Sequence, residues 1–129
     1  MKYIYSAVIH CDEDGVWVAR VPDIPGCVTT GSSLEDAIDQ IADAAAGCLI
    51  VAEDEDLELA APSPQSQLPR EPGDVCTLLR LDTLAYRAAT DSRSVRKNVS
   101  LPAWMAGLAD KRGINCSQLL QEALLAELD

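Results

Sequence analysis

The sequence predicts an α+β protein in which an N-terminal β-β-β-α-β sheet with one long helix precedes a C-terminal strand-helix-helix dimerisation domain. Two runs of alternating and β-branched residues near the start are typical of half-buried strands. One long stripe of apolar residues at helical spacing follows them. The last part of the chain alternates over residues 94–102 and then returns to helical spacing.

Three strands are expected before the long helix. Residues 3–10 form the first and residues 16–21 the second, and Asp14-Gly15 marks the hairpin turn between them. Pro22 to Gly26 breaks the second strand, and residues 27–30 form a short third one.

The long helix is expected to run from about residue 34 to about Ala52. Its apolar stripe recurs at intervals of three and four residues. Ser32 and Glu35 have the spacing of a capping box at its start, where acidic side chains suit the positive end of the helix dipole.

The remainder of the front part is expected to be a loop, a strand and a helical turn. Residues 57–73 hold four of the seven prolines, which predicts a loose, mobile surface loop. Residues 75–81 form a fourth strand, and Asp82 caps a short helical turn that reaches Arg87. We therefore predict a front domain over residues 1–89, a linker over 90–93 and a tail domain over 94–129.

The predicted tail strand has two chemically different faces. Val95, Val99 and Leu101 point one way, and Lys97 is the one polar residue in that register. The opposite register is polar and consists of Arg96, Asn98 and Ser100. Pro102 ends the strand and can serve as the first residue of the next helix.

Two short helices complete the tail. Gly113 ends the first of them, and either Asn115 or Ser117 caps the second. So short a unit cannot bury a core alone, and a single strand leaves both of its edges unpaired. Two chains that pair their strands antiparallel would solve both problems. The apolar residues that we expect in this dimer contact are Val99, Leu101, Trp104, Leu108, Leu120 and Leu124. Trp104 and the front-domain Trp17 are expected to be core anchors.

Charge separates the two predicted domains. Residues 1–89 hold five basic and sixteen acidic residues, which accounts for the whole net charge of −11. Residues 90–129 hold five of each. An acidic surface attracts a basic partner and repels nucleic acid, so we expect the front domain to bind a basic partner and only the tail to bind DNA.

Nothing in the sequence favours an enzyme, a metal site or a cofactor. Five scattered cysteines without a C-x-x-C pair fit a reducing compartment better than a disulfide framework. His10 is the only histidine, and the acids of the first hairpin are not forced to converge. No signal peptide or membrane span is visible, so a cytoplasmic protein is expected.

The tail resembles the ribbon-helix-helix DNA-binding fold in its order of strand, proline, helix, glycine turn and helix. The resemblance implies that paired strands enter the major groove and that Arg96, Asn98 and Ser100 read base edges. It also implies phosphate contacts from Arg93 and Lys97. A further phosphate would lie at the start of the second helix, around Asn115, Cys116 and Ser117. The plainer interpretation is that the polar register is simply the solvated face of an edge strand.

The front domain resembles that of HicB-type antitoxins, whose fold is a partial ribonuclease H sheet. The resemblance rests on Pro22-Asp23-Ile24-Pro25-Gly26-Cys27, Gly31 and Leu34-Glu35-Asp36-Ala37, and it continues through the tail motifs. It implies a cytoplasmic antitoxin that inhibits a small basic HicA-type mRNA ribonuclease toxin and represses its own operon as a dimer or tetramer. Candidate toxin contacts are Asp12, Glu13, Asp14 and Asp23.

Two other functions stay open at this point. One is a repressor whose front domain senses a small ligand or another protein, with the tail unchanged. The other is a metal-dependent nuclease of the ribonuclease H type, which would need the carboxylates of Asp12 and Asp23 to converge.

Overall fold

The computed structural model describes residues 1–129, and the chain divides after Arg87 into two units. Lys2–Arg87 is here called the front unit, and Met1 together with Ala88–Asp129 is the tail unit. No helix in either unit is both long enough and apolar enough to cross a membrane.

The front unit contains one four-stranded antiparallel sheet, which confirms the predicted β-β-β-α-β arrangement. Its strands are β1 (Lys2–Cys11), β2 (Trp17–Arg20), β3 (Val28–Gly31) and β4 (Val75–Asp82). The spatial order is β3-β2-β1-β4, so β1 is central and pairs with both β2 and β4.

Helix α1 (Leu34–Asp54) covers one face of this sheet. Its buried stripe includes Ile41 and Leu49, which pack against Tyr5 and Ile9 of β1 in the core. Gly31 is required where the helix meets β3, because a Cβ there would lie 2.4 Å from the backbone nitrogen of Ala37. The close approach of α1 to the sheet therefore depends on a residue without a side chain.

The cap of α1 differs from the predicted one by one residue. Ser33, rather than Ser32, is the N-cap, and its hydroxyl accepts from the Asp36 N–H at 3.0 Å. The Asp36 carboxylate in turn accepts from the Ser32 N–H at 2.8 Å. Asp36 takes the place expected of Glu35, but it bonds the residue before the cap, so the arrangement matches a capping box only in part.

The proline-rich loop is not the loose excursion expected from its composition. Tyr5 donates its hydroxyl to the Ala60 carbonyl at 2.8 Å, and Arg20 donates to the Pro69 carbonyl at 2.7 Å. Leu68 is buried, and a short 3-10 turn spans Gln65–Gln67. These contacts hold the loop against the sheet.

Helix α2 (Thr83–Thr90) follows β4, and the boundary between the two units falls within it, after Arg87. Asp82 caps it as predicted, since its carboxylate accepts from the backbone N–H of Leu84 at 3.1 Å and of Ala85 at 3.2 Å. The helix runs three residues beyond the predicted turn, so part of the expected linker is helical.

The tail unit contains helices α3 (Ala103–Lys111) and α4 (Cys116–Leu128). Pro102 occupies the N-cap of α3, one position before the predicted one. Gly113 has a φ of +65°, the left-handed conformation that ends a helix, as expected. Asn115 caps α4, which decides between the two caps proposed.

Residues 91–102 have no regular secondary structure in the single chain. A strand is defined by hydrogen bonds to a neighbouring strand, and this segment has no neighbour to pair with in one chain. The predicted tail strand therefore stays a prediction about the paired form.

Candidate functional site

The most distinctive surface of the tail unit is an apolar groove of about 590 Å³. It lies between the extended segment and the two helices. The apolar groove is lined by Lys97, Val99, Leu101, Trp104, Met105, Leu108, Ala109, Arg112, Ile114, Cys116, Ser117, Leu119, Leu120 and Ala123. A groove of this composition on so small a unit is unusual, because single domains rarely leave a large apolar surface open to water.

The extended segment alternates in the way that the sequence predicted. Lys97, Val99 and Leu101 line the apolar groove, whereas the intervening Arg96, Asn98 and Ser100 are exposed and do not line it. Alternate residues of an extended chain point to opposite sides. The polar register is thus free on the outer side of the segment while the apolar register faces the helices.

Trp104 does not anchor a core in the single chain, which corrects the expectation for it. Its side chain lines the groove and is 66% exposed. The other tryptophan, Trp17, is partly buried and packs against the front-unit core as expected. Leu124, one of the expected dimer residues, is exposed but lies outside the groove lining.

The start of α4 offers free backbone donors. The Asn115 side-chain oxygen accepts from the Gln118 N–H at 3.1 Å. The N–H groups of Cys116 and Ser117 have no carbonyl one turn earlier to which they can donate. Such donors at a helix N-terminus suit an anionic oxygen.

Arg93 is engaged within the tail unit. Its guanidinium donates to the Asp91 carboxylate from Nε and from one terminal nitrogen, both at 2.9 Å. The hydrogen bonds from Arg93 and the charge beside it lower the pKa of Asp91 far below its ordinary range. An Arg93 contact to phosphate therefore competes with Asp91, a partner that the sequence analysis did not consider.

The four acids proposed as toxin contacts behave differently from one another. Asp12 holds the hairpin turn, since it accepts from the backbone N–H of Asp14 and of Val16, both at 2.9 Å. Asp23 accepts from the hydroxyl and the backbone N–H of Ser63, both at 2.7 Å. Glu13 and Asp14 have exposed side chains. No group of three or more potential ligands is arranged to hold a metal ion.

Two features of the front unit were not assigned a role from the sequence. The outward side of α1 carries exposed carboxylates, among them Glu35, Asp39 and Asp54. The second feature is Glu53, which accepts from the hydroxyls of Tyr3 and Thr83, each at 2.8 Å. In the sequence, these acids lie off the apolar stripe of α1, and that position could have identified the exposed acidic side of the helix.

Comparison with known proteins identifies the family of this chain. A family model described as "HicB_like antitoxin of bacterial toxin-antitoxin system" matches residues 5–125. Two curated relatives, both named UPF0150 proteins, match over 40 residues: one from Archaeoglobus fulgidus at 40% identity and one from Thermoplasma acidophilum at 42%. That stretch covers 31% of this chain and 58% of each relative, so the match spans little more than half of their length.

Solved structures agree over almost the whole chain. The crystal structure of the Burkholderia pseudomallei antitoxin HicB is similar with a TM-score of 0.55 and 26% identity, covering 98% of this chain and 99% of that one. A toxin-antitoxin complex from Streptococcus pneumoniae contains a chain of the same fold, with a TM-score of 0.61, 20% identity and coverage of 98% and 99%. Because the family model spans nearly all of the sequence and the fold agrees, the chain belongs to the HicB-like antitoxin family.

Proposed function

We propose that this antitoxin neutralises a small basic HicA-type mRNA ribonuclease through its front unit and represses its own operon through its tail unit. Both actions are binding rather than catalysis, and both take place in the cytoplasm. The observation that carries the DNA-binding part is the division of the segment 96–101 into a groove-facing apolar register and an outward polar one.

The apolar groove supports dimerisation through the tail. Trp104, Leu119 and Leu120 line it with exposed fractions of 66%, 56% and 38%. Burying such side chains is worth roughly 1.5–3 kcal/mol each. A second copy of the tail would cover the groove and supply the missing partner for the extended segment, as in a ribbon-helix-helix dimer.

The outward register supports base recognition by this dimer. Arg can form two hydrogen bonds with guanine and Asn can form two with adenine, and Ser can bond to either. Arg96, Asn98 and Ser100 are exposed on one side of the segment. Pairing of two segments would therefore present six such side chains to the major groove of DNA. The free donors at the start of α4 would hold a backbone phosphate.

Charge supports toxin binding by the front unit. Lys2–Arg87 contains sixteen acidic residues against five basic ones. A ribonuclease that binds RNA must present basic residues around its active site, so an acidic body is complementary to it. The solved complex titled "HicA3 and HicB3 toxin-antitoxin complex" contains a chain of the same fold, at 22% identity, 62% coverage of this chain and a TM-score of 0.50.

Titration of the full chain against a duplex of its own upstream sequence tests the DNA-binding proposal. We expect binding at least about 10³-fold tighter than to an unrelated duplex at physiological salt, with two chains for each half-site. Equal affinity for both duplexes would overturn it. Failure to bind the toxin alongside normal operator binding would instead favour a repressor whose front unit senses another ligand.

A further inference from the structure

The extended segment between α2 and α3 has an exposed backbone that is almost free of hydrogen bonds. Residues 91–102 are all exposed, and none of them belongs to a helix or a strand. From residue 91 to residue 101, the hydrogen bonds are those that Arg93 donates to Asp91. A protease binds its substrate as an extended chain through the backbone groups, so such a segment is a good substrate.

This segment also carries basic side chains, which select the kind of protease. Arg93, Arg96 and Lys97 lie within five positions and are three of the ten basic residues of the chain. Arg93 is paired with Asp91, whereas Arg96 and Lys97 form no ion pair. A protease that cleaves after Lys or Arg therefore meets two free basic side chains on a free extended backbone.

The other seven basic residues lie where the backbone is held. Six are in strands, helices or a helix cap: Lys2, Arg20, Arg80, Arg87, Lys111 and Arg112. The seventh, Arg70, lies in the proline-rich loop. The preceding carbonyl, of Pro69, accepts from Arg20 at 2.7 Å. The following N–H, of Glu71, donates to the Asp74 carboxylate at 2.9 Å. The peptide bond after Arg70 is thus fixed on both sides.

We propose that the peptide bonds after Arg96 and Lys97 are a processing site for a protease that cleaves after basic residues. The site is open in the unpaired chain and closed when two tails pair. Its closing rests on the tail dimer of the proposed function, whereas its opening needs only the single chain. Hydrolysis adds one water across the bond, so that one fragment ends in a carboxylate and the other begins with an ammonium group.

Cleavage at this site divides the tail and spares the front unit. Every residue of the front-unit core cluster precedes residue 82, so a fragment that ends at Lys97 keeps the whole core. The outward polar register is split, because Arg96 stays with the front fragment while Asn98 and Ser100 leave with the two helices. The front fragment therefore keeps the surface proposed for the toxin and loses the parts proposed for pairing and for DNA.

Pairing closes the site because a second tail and a protease use the same groups. Both bind the backbone N–H and C=O groups of the extended segment. If only unpaired chains are cut, the first-order rate constant of cleavage is proportional to the unpaired fraction. At a chain concentration about 100 times the dimer dissociation constant, about one chain in fifteen is unpaired. Cleavage should then be about tenfold slower than in dilute protein.

Limited digestion of the full chain with trypsin tests the proposal. Sedimentation equilibrium gives the dimer dissociation constant, and samples below it and about 100-fold above it are digested and followed by mass spectrometry. A chromogenic arginine peptide in each sample reports the free trypsin. We expect the first cuts after Arg96 and Lys97, an approximately tenfold slower cleavage in the concentrated sample, and further protection by a duplex of the upstream sequence.

Two variants separate pairing from other effects of concentration. Trp104→Ala removes a side chain that lines the apolar groove, so this variant should be cut rapidly at both concentrations. Leu125→Ala removes an exposed side chain outside the groove and should be protected like the wild type. Equal protection of both variants in the concentrated sample would overturn the claim that pairing at the groove closes the site.

The purified front fragment tests what cleavage does. We expect it to capture the small basic protein encoded beside the gene and not to bind the upstream duplex. Capture by the full chain but not by the fragment would overturn the claim that the cut spares the front unit. If neither captures this protein, the proposed toxin binding fails, while cleavage that slows with pairing still supports the processing site.

Three further results would overturn the proposal. One is a first cut after Arg70 or Arg112, or digestion of the whole chain at one rate. Another is a dimer that trypsin cuts as fast as the unpaired chain, which removes the closing of the site alone. The third is a chain that stays monomeric at every concentration, which removes the tail dimer and the closing together.

Discussion

Arg93 and Asp91 form a two-point ion pair immediately before the segment that we propose as the DNA-binding strand. Nε and one terminal nitrogen of Arg93 each lie 2.9 Å from a carboxylate oxygen of Asp91. The Arg93 backbone N–H also donates to this carboxylate, at 3.1 Å. Two of the five N–H donors of the Arg93 guanidinium are therefore engaged by Asp91, whose charge also offsets that of Arg93 beside a phosphate.

Replacement Asp91→Asn should therefore strengthen DNA binding. It removes one negative charge beside the duplex and frees the Arg93 guanidinium, so we expect operator affinity to rise by about two- to fivefold. The slope of log affinity against log salt should steepen by about one unit. Glu127→Gln removes the same charge near the end of α4 and is the matched control. A rise of equal size in the control would show that net charge, rather than Arg93, is responsible.

Arg96→Ala and Lys97→Ala should have different signatures. Arg96 belongs to the outward register, so its loss should reduce discrimination at one base position by about 1–3 kcal/mol. Lys97 lines the apolar groove, and its phosphate contact requires its ammonium group to extend beyond the groove. Its loss should weaken binding to all sequences alike and reduce the salt slope. Binding of each variant to a panel of single-base operator substitutions measures both effects. Equal losses on every duplex for both variants would refute the reading role of Arg96.

Trp104→Ala should dissociate the proposed tail dimer. A buried tryptophan replaced by alanine costs about 3–5 kcal/mol, so the dimer dissociation constant should rise at least about a hundredfold. Sedimentation equilibrium of the full chain measures this constant. Leu125 has a comparable exposed fraction of 57% and lies outside the groove, so Leu125→Ala is the matched control. An unchanged constant for Trp104→Ala would show that copies of the chain do not meet at this groove.

Glu53→Gln should destabilise the front unit by about 1–3 kcal/mol. Burial opposes ionisation of Glu53, but hydrogen bonds from Tyr3, Thr83 and Arg87 outweigh it and hold its pKa below the usual 4.5. The carboxylate therefore stabilises the fold above about pH 4.5, and this contribution is lost as the pH falls through the lowered pKa. Urea unfolding at several pH values measures the difference from wild type, with the exposed Glu55→Gln as control. A difference that stays constant down to pH 2 would contradict this account.

His10 should titrate above its usual pKa of 6.5. Its Nδ1 lies 2.6 Å from the Asp74 carboxylate, and this hydrogen bond is the main reason that its pKa is raised. The pair stabilises the fold below pH 6.5, and the effect is lost as the pH rises through the raised pKa. As the only histidine, His10 gives a single set of imidazole signals in an NMR titration. Asp74→Asn should return its pKa towards 6.5, whereas Glu71→Gln, with its carboxylate 3.9 Å away, should change it less. An unchanged His10 pKa in Asp74→Asn would exclude the pairing.

The sheet and α1 could be predicted because their patterns are local. Alternation along β1 and the stripe of α1 follow directly from strand and helix geometry. The proline-rich loop was misjudged because its anchors are distant in sequence. Ser63 meets Asp23 across 40 residues, and Arg20 meets the Pro69 carbonyl across 49. Composition predicts an exposed loop but contains no information about such contacts.

The two-sided alternation of the candidate DNA-binding segment was predictable, but the contacts of the neighbouring Arg93 and Trp104 were not. Alternation from Arg96 to Leu101 was visible in the sequence and agrees with the groove lining. The engagement of Arg93 by Asp91 depends on rotamers, which the sequence does not specify. The exposure of Trp104 was missed because the sequence alone does not distinguish an apolar residue of an open groove from one of a closed core.

The central claim is that one unit binds the toxin and the other binds DNA. Two variants, one in each unit, test this claim because each should impair the binding of one partner and leave the other unchanged. The full chain is co-expressed with the small basic protein encoded beside its gene, and complex formation, growth rescue and operator binding are measured. Glu13→Lys with Asp14→Lys reverses two exposed charges among the candidate toxin contacts, and Arg96→Ala alters the tail. We predict that the first variant loses the complex and the rescue but binds DNA, and that the second keeps the complex and the rescue but discriminates less well between its operator and other duplexes. Failure of the wild-type chain to form the complex, or loss of toxin capture on changing Arg96, would contradict the division of function.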